Sequence, residues 1–426
     1  MNLTPCKVLT LDLSEGIPEL QPDPNYEQIR ITFWWHGIAL GQIDLSSQQL
    51  PLSAAQLSNL AAQEIAPAVG DRLFEKGFRA NLPLLPPHAC EAPEDFDKLV
   101  NLQAPLQTLH QAWAPLSQSS LSVVICTRDR PEKLAVCLRS LQSSTQPPDE
   151  IIVVDNAPSS DATQQVVTQM PGIQYVREPR PGLDIARNTG IAHSTCELIA
   201  YTDDDVAVHP DWSARIRQSF RDSSVMAVTG LVLAAELETE AQQIFERDWS
   251  FNRGYRVLTY DQAYFERLKP SGVPAWCVGA GANMAFRRSV FEQVGTFDER
   301  LDVGAAGCSG DSEFWYRIMA EGYTCQYEPI AVVSHYHRRD MVSLSQQLFY
   351  YMRGHVAALL IQFERYKHWG NIGRLGIAMP KYYLKRTVLQ ILKRNQPPAK
   401  LLLTEIIGCF AGIKFYLQNR QRKPEN

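Results

Sequence analysis

The sequence predicts an α/β protein built on a mainly parallel sheet with helices on both faces. Three observations carry this expectation. Short apolar, β-branched runs recur at 121–126, 151–154, 173–176 and 198–202, the pattern of strands buried on both faces. Stretches with helical spacing separate them, and polar residues follow directly after the runs. Strands alternating with helices imply βαβ units.

The elements follow in order. From Gln28 to Phe33 polar and apolar residues alternate, and Trp34-Trp35 extends the run. His36-Gly37 then precedes a second run over 38–45, which together read as a β-hairpin. A helix is expected from 53 to about 65. Pro-rich 82–87 and polar 117–120 read as connectors. Pro131 opens a helix with Leu134, Leu138 and Leu141 on one face, and 183–192 reads as another. A further helix ends near 320, and 330–334 is a strand. The expected organisation is a small α+β domain at 1–118, an α/β domain at 119–340, and a helical tail at 341–426.

The chain has 426 residues, 45% hydrophobic and 20% charged, which fits a globular protein of two or three domains and excludes disorder. A net charge of −5 argues against a dedicated nucleic-acid binder. Nine cysteines without a CxxC pair predict neither a disulfide framework nor a zinc ribbon, and suit a reducing compartment. The N-terminus has no basic start followed by an apolar core. No uncharged apolar stretch reaches spanning length, the nearest being 401–417, which Glu405 and Lys414 interrupt. The expected location is cytoplasmic, or peripheral on the inner face of the membrane. Residues 367–426 carry 12 Lys and Arg against 2 acidic residues. Basic amphipathic helices of this kind lie on anionic membranes, pack on an acidic domain, or form a dimer.

In open α/β sheets, ligands bind outside the carboxyl ends of the strands. The residues there are Thr127-Arg128-Asp129-Arg130, Asp155-Asn156 and Asp203-Asp204-Asp205. Three adjacent carboxylates repel one another, and a hard divalent cation removes that cost; the alternative is a solvated turn. Asp155 either caps the next helix or accepts from a base or ribose. Arg187, on a helix before the aspartate strand, either pairs locally or reaches a diphosphate. Asp311 can serve as the N-cap of the helix that ends near 320. Gly279-Ala280-Gly281-Ala282-Asn283 lacks the third glycine of a dinucleotide site.

VVICTRDRPEKLAVCLRSL, IIVVDN, GLDIARNTGI, LIAYTDDDV, GAGANMAFRRSVFEQVGTFDE and SGDSEFWYRIMAEGY, in this order, resemble family 2 of the nucleotide-sugar glycosyltransferases, which have a GT-A fold. The likeness spans about 121 to 339. It implies that Thr127, Arg130 and Asp155 hold the nucleobase and ribose, with Arg128 in the same loop and Arg187 near the nucleotide. It implies that Asp205 binds Mg²⁺ or Mn²⁺ bridging to the donor diphosphate, with Asp203 in the same loop and Asp204 nearer the ribose. His335, ahead of His337, is the candidate to complete the metal shell. Asp311 matches the general base of the family's ED signature, with Glu313 as second choice; Gly310 stands where Glu is common. Gly281, Asn283 and Trp276 are implied to line the sugar and acceptor pocket, with His337 nearby.

The implied reaction is metal-dependent, inverting transfer of a sugar from a UDP-, GDP- or dTDP-linked donor to a hydroxyl of a saccharide or glycolipid. A sugar nucleotidyltransferase would carry a Gly-rich loop after the first strand, and Thr127-Arg128-Asp129-Arg130-Pro131 has no glycine. A glycosidase needs paired carboxylates but no aspartate cluster at the sheet rim. Gly310 alone favours a degenerate binding scaffold.

Overall fold

The computed structural model describes residues 5–75, 105–107, 119–392 and 398–420. The connector expected at 82–87, and the first two residues of the one at 117–120, lie outside these.

The N-terminal unit is a three-stranded sheet. Strand β1 (Cys6–Asp12) runs parallel to β2 (Gln28–Trp35), which forms a hairpin with β3 (Ile38–Ser46). The turn residues His36 and Gly37 both have positive φ, 46° and 75°, as the twist of a two-residue hairpin requires. Alternate residues Ile29, Ile31, Phe33 and Trp35 face helix α1 (Ala54–Glu75) and pack on its Leu57, Ala61, Ile65 and Val69. The helix runs past its expected end and through Pro67, because its apolar spacing continues. Strand β1 carried no recognised signal: it is an edge strand with only Cys6 fully buried.

The central sheet joins β4 (Leu121–Thr127), β5 (Glu150–Asn156), β6 (Ile173–Glu178), β7 (Leu198–Asp203), β8 (Val206–Val208), β9 (Val225–Ala234), β10 (Leu258–Tyr260), β11 (Asn283–Arg287) and β12 (Thr324–His335). Their order is β10-β12-β9-β11-β7-β4-β5-β6, with β8 on β12. Four of the five strands foreseen here from sequence, β4 to β7, form the parallel half, and the fifth, at 330–334, lies in β12. Antiparallel β11 joins the parallel half to β9 and β12, which are parallel to each other. The sheet is thus mixed.

Helices α2 (Pro131–Gln142), α3 (Ala162–Thr168), α4 (Leu183–His193), α5 (Trp212–Ser219), α6 (Glu240–Trp249), α7 (Gln262–Leu268), α8 (Ser289–Val294) and α9 (Gly310–Ala320) flank it. Successive β4 residues feed opposite cores: Val123 and Ile125 meet Leu134, Leu138 and Trp212, whereas Val124 joins Ile152, Phe286 and Phe314. Both faces are therefore buried, as the apolar runs imply.

The tail folds as α10 (Met341–Tyr366), α11 (Trp369–Gly373), a π turn over 374–378, α12 (Met379–Ile391) and α13 (Ala399–Asn419). Among the described residues α13 alone is long and apolar enough to cross a membrane, by length and composition. Glu405 does not interrupt it: its carboxylate is buried and paired with Arg386 at 3.2 Å. The eight described cysteines are all free.

The N-terminal unit docks on the central one. Trp34, on the face of β2 away from α1, stacks on His209 with ring centroids 5.0 Å apart. Arg30 pairs with Glu246 at 2.8 Å, and Tyr255 Oη donates to Gln42 Oε1.

Candidate active site

A cavity of about 1150 Å³ opens beyond the carboxyl ends of β4 and β7, lined by Thr127, Arg130, Asp203, Asp205, Asp311 and residues of α10 and α12. Strand β7 ends at Asp203, and the chain turns through Asp204 and Asp205 into β8. Because β8 pairs antiparallel with β12, Val206 lies opposite His335, and Tyr336 N donates to Asp205 O. That pairing brings together residues 130 positions apart in sequence. Thr127 Oγ1 donates to Asp204 Oδ2 at 2.8 Å, and Arg130 Nη1 bonds Asp204 at 3.1 Å and Asp205 at 3.4 Å. Lys133 Nζ also reaches Asp205, at 3.4 Å.

Ligand atoms of Asp203, Asp205 and His335 lie within 4.8 Å of one another. The hydrogen-bond chain behind them sets the imidazole. In the His337 tautomer that donates Nε2–H to Glu246 Oε2, 3.1 Å away, Nδ1 is an acceptor. His335 Nδ1, 3.0 Å away, then donates to it. Burial pushes His335 down to about 4, so near neutral pH its Nε2 keeps a bare lone pair. That lone pair faces Asp205 Oδ1 at 3.4 Å, and two facing acceptors call for a cation between them. The donor set of two carboxylates and one imidazole suits Mg²⁺ or Mn²⁺. Burial and the neighbouring Asp205 charge push Asp203 up to about 7. Asp205 itself is held below the ordinary range, burial being outweighed by His335, Lys133 and Arg130.

Deeper in the cavity, Arg187 on α4 lies between Asp184 at 2.8 Å and Asp302 at 2.7 Å. Burial opposes its charge, but Asp302, Asp184 and Asp311 keep the guanidinium protonated. Asp311 sits in the first turn of α9, one residue inside the helix, and Ser309 occupies the cap position. Burial, then the nearby Asp302, raises the Asp311 carboxyl. Gly281 closes over both groups: a Cβ there would meet Arg187 Nη2 at 2.9 Å and Asp311 Oδ2 at 3.1 Å. The loop before α9 holds Asp302 at φ 60° and Ser309 at φ 76°, left-handed non-glycine backbone of the kind that collects at functional sites.

Comparison with known proteins gives this site its setting. Residues 122–295 match the family model for glycosyl transferase family 2. The chain carries a family 2 glycosyltransferase domain. The succinoglycan biosynthesis protein ExoM of Rhizobium meliloti is 29% identical over 241 residues, covering 54% of this chain and 67% of that one. The pre-mycofactocin glycosyltransferase of Mycobacterium tuberculosis is 27% identical over 237 residues, covering 55% of this chain and 46% of its own length. The chain thus spans less than half of that second relative. The solved mannosyltransferase PcManGT from Pyrobaculum calidifontis, in complex with GDP-Man and Mn²⁺, superimposes with a TM-score of 0.47 at 16% identity, over 86% of this chain and 98% of that one.

Most of the residues singled out from the sequence converge on the cavity: Thr127, Arg128, Arg130, Arg187, Asp203, Asp204, Asp205, Trp276, Gly281, Asp311, His335 and His337. Three do not line it. Asp155 is fully buried, with one oxygen accepting from Tyr175 Oη at 2.9 Å and Oδ1 unpartnered among the described residues; burial raises its carboxyl. Asn283 opens β11 with its side chain buried on the sheet, donating to the carbonyls of Leu231 and Ala331 and accepting from Trp212 Nε1. Glu313 is buried and bound through both oxygens to Arg317 Nε at 2.9 and 2.8 Å, a structural ion pair facing away from Asp311.

The missed residues are Lys133, Asp184, Glu246, Asp302 and Arg30. Asp184 answers the departure at Gly310, since a Cβ at 310 would lie 2.0 Å from Asp184 Oδ2. The space a larger residue would need is filled by a carboxylate from α4. The glycines of Gly304-Ala305-Ala306-Gly307 were the available signal for the Asp302 loop; Arg30 and Glu246 had none.

Proposed function

We propose that this chain transfers a sugar, with inversion, from a nucleoside diphosphate donor to a hydroxyl of a saccharide or glycolipid acceptor, using Mg²⁺ or Mn²⁺. The observation that carries it is the cluster of Asp203, Asp205 and His335, with His335 Nε2 3.4 Å from the Asp205 carboxylate, on the cavity that also holds Asp311. Residues 119–340 are the catalytic unit, with 1–118 and 341–426 as accessory regions.

Asp203, Asp205 and His335 would hold the cation, which when bound neutralises charge on the departing diphosphate. Thr127, Arg128, Arg130 and Asp204 border the nucleoside, with Asp155 buried beneath them. Arg187 supplies a fixed positive charge near the leaving group. Asp311, as carboxylate, takes the proton of the acceptor hydroxyl. The acceptor oxygen forms the new bond to the anomeric carbon as the bond to the diphosphate oxygen breaks, and the nucleoside diphosphate leaves. Trp276 and Gly281 border the sugar and acceptor. Arg374, over the Trp276 ring at 4.2 Å, holds that indole in place.

The test is a thermal-shift screen of UDP, GDP and dTDP, with and without Mn²⁺. A bound nucleotide raises the melting temperature by mass action. One of the three should stabilise the protein only with the cation; stabilisation indifferent to chelator would refute the metal-held diphosphate.

A further inference from the structure

Most large apolar side chains exposed on the described surface lie in the last two helices and the turn before them. On α12, Leu384, Val388 and Ile391 are exposed at i, i+4 and i+7; on α13, Leu403, Ile407 and Phe410 repeat that spacing. Each is a continuous stripe on one helix face. The stripe on α13 cannot turn inward, because Gly408 and Gly412 press the opposite face against α10. Cβ atoms there would lie 2.5 Å from Phe349 O and 2.6 Å from Arg353 O.

The charge on this face has one sign. Lys381, Lys385, Lys400 and Lys414 are exposed, and the one acidic residue of the two helices, Glu405, is buried against Arg386. Two copies meeting through it would set lysines against lysines, so a second copy is the poorer occupant. Apolar stripes flanked by lysines fit a bilayer with anionic headgroups. The cavity reaches the same helices: Met379, Tyr382 and Tyr383 line its far end, and Tyr382 is half exposed.

We propose that α12 and α13 lie on an anionic membrane surface and that the cavity receives its acceptor from there as a lipid-linked hydroxyl compound, the latter resting on the transfer activity proposed above. The experiment is co-sedimentation of the full chain with vesicles of phosphatidylcholine alone or with added phosphatidylglycerol. Wild type should bind the anionic vesicles and be released by salt. Lys381→Glu with Lys385→Glu should lower the partition coefficient at least about tenfold, and Leu384→Ser with Phe410→Ser should lower it on both lipids. All four side chains are exposed, so the Mn²⁺-dependent nucleotide thermal shift should survive in both variants. Its loss in wild type would count against the transfer activity alone. Wild type failing to bind anionic vesicles, variants binding equally, or a dimer in sedimentation velocity that the serine variant dissolves would each overturn the membrane assignment.

Discussion

Glu246→Gln is the sharpest perturbation of the metal site, because Glu246 touches no part of the cluster itself. Its Oε1 holds Arg30 at 2.8 Å and its Oε2 holds His337 at 3.1 Å, so it joins the N-terminal sheet to the imidazole pair. As a carboxylate it can only accept, which fixes His337 as the Nε2–H tautomer and His335 with Nε2 free. The amide can also donate, so His337 can take the opposite tautomer and His335 loses its acceptor. Removing outer partners of this kind costs roughly 10–100-fold in metal affinity, about 1.4–2.7 kcal/mol. Mn²⁺ titrated calorimetrically into the full chain reads this directly. Arg30→Met should weaken Mn²⁺ in the same direction. Asp44→Asn, at the exposed carboxylate that shares Arg30 at 2.7 Å, should leave it unchanged. A Glu246→Gln protein with wild-type melting temperature and Mn²⁺ affinity within about twofold of wild type would refute the tautomer argument.

Three further outcomes are expected. Asp311→Asn should abolish transfer while keeping the Mn²⁺-dependent nucleotide shift; because the Asp311 carboxyl is raised and must be ionised to act, the wild-type rate should fall with acid through an apparent pKa above the ordinary 3.8. Gly310→Ala should destabilise by about 1–3 kcal/mol or more from overpacking on Asp184, read as a lower melting temperature. In a chain that also carries Asp184→Gly, the Gly310→Ala change should cost clearly less than it does alone, and simple additivity of the two changes would remove Asp184 from the explanation. Glu313→Gln should cost roughly 3–5 kcal/mol by stranding the buried Arg317 charge, with transfer per folded molecule retained; lost transfer at an unchanged melting temperature would reinstate Glu313 as the base.

The catalytic half of the fold was legible because its signals are local. Apolar runs such as 121–126 show strand and double-sided burial within a few residues, and the polar residues after them fall on the rim by strand geometry alone. Asp203 and Asp205 could therefore be placed on the rim without coordinates, whereas Arg187 and Asp311 were expected from the resemblance to family 2, and all four line the cavity. Asn283 and Glu313 were misplaced for the same reason: each sits one or two residues from a true lining position, and only the strand pleat and helix turn decide which way its side chain points.

By itself the sequence determined the strand–helix alternation, the hairpin at His36-Gly37, the rim carboxylates and the basic helical tail, all set by periodicity and spacing over short distances. Only tertiary structure decided that His335 faces Asp205, through the β8–β12 pairing, and that Asp302 reaches Arg187 across 115 residues. It alone decided that Arg30, 216 residues from Glu246, steadies the imidazole chain. Contacts of that separation depend on how sheets and loops pack together, and no local pattern of residues encodes them.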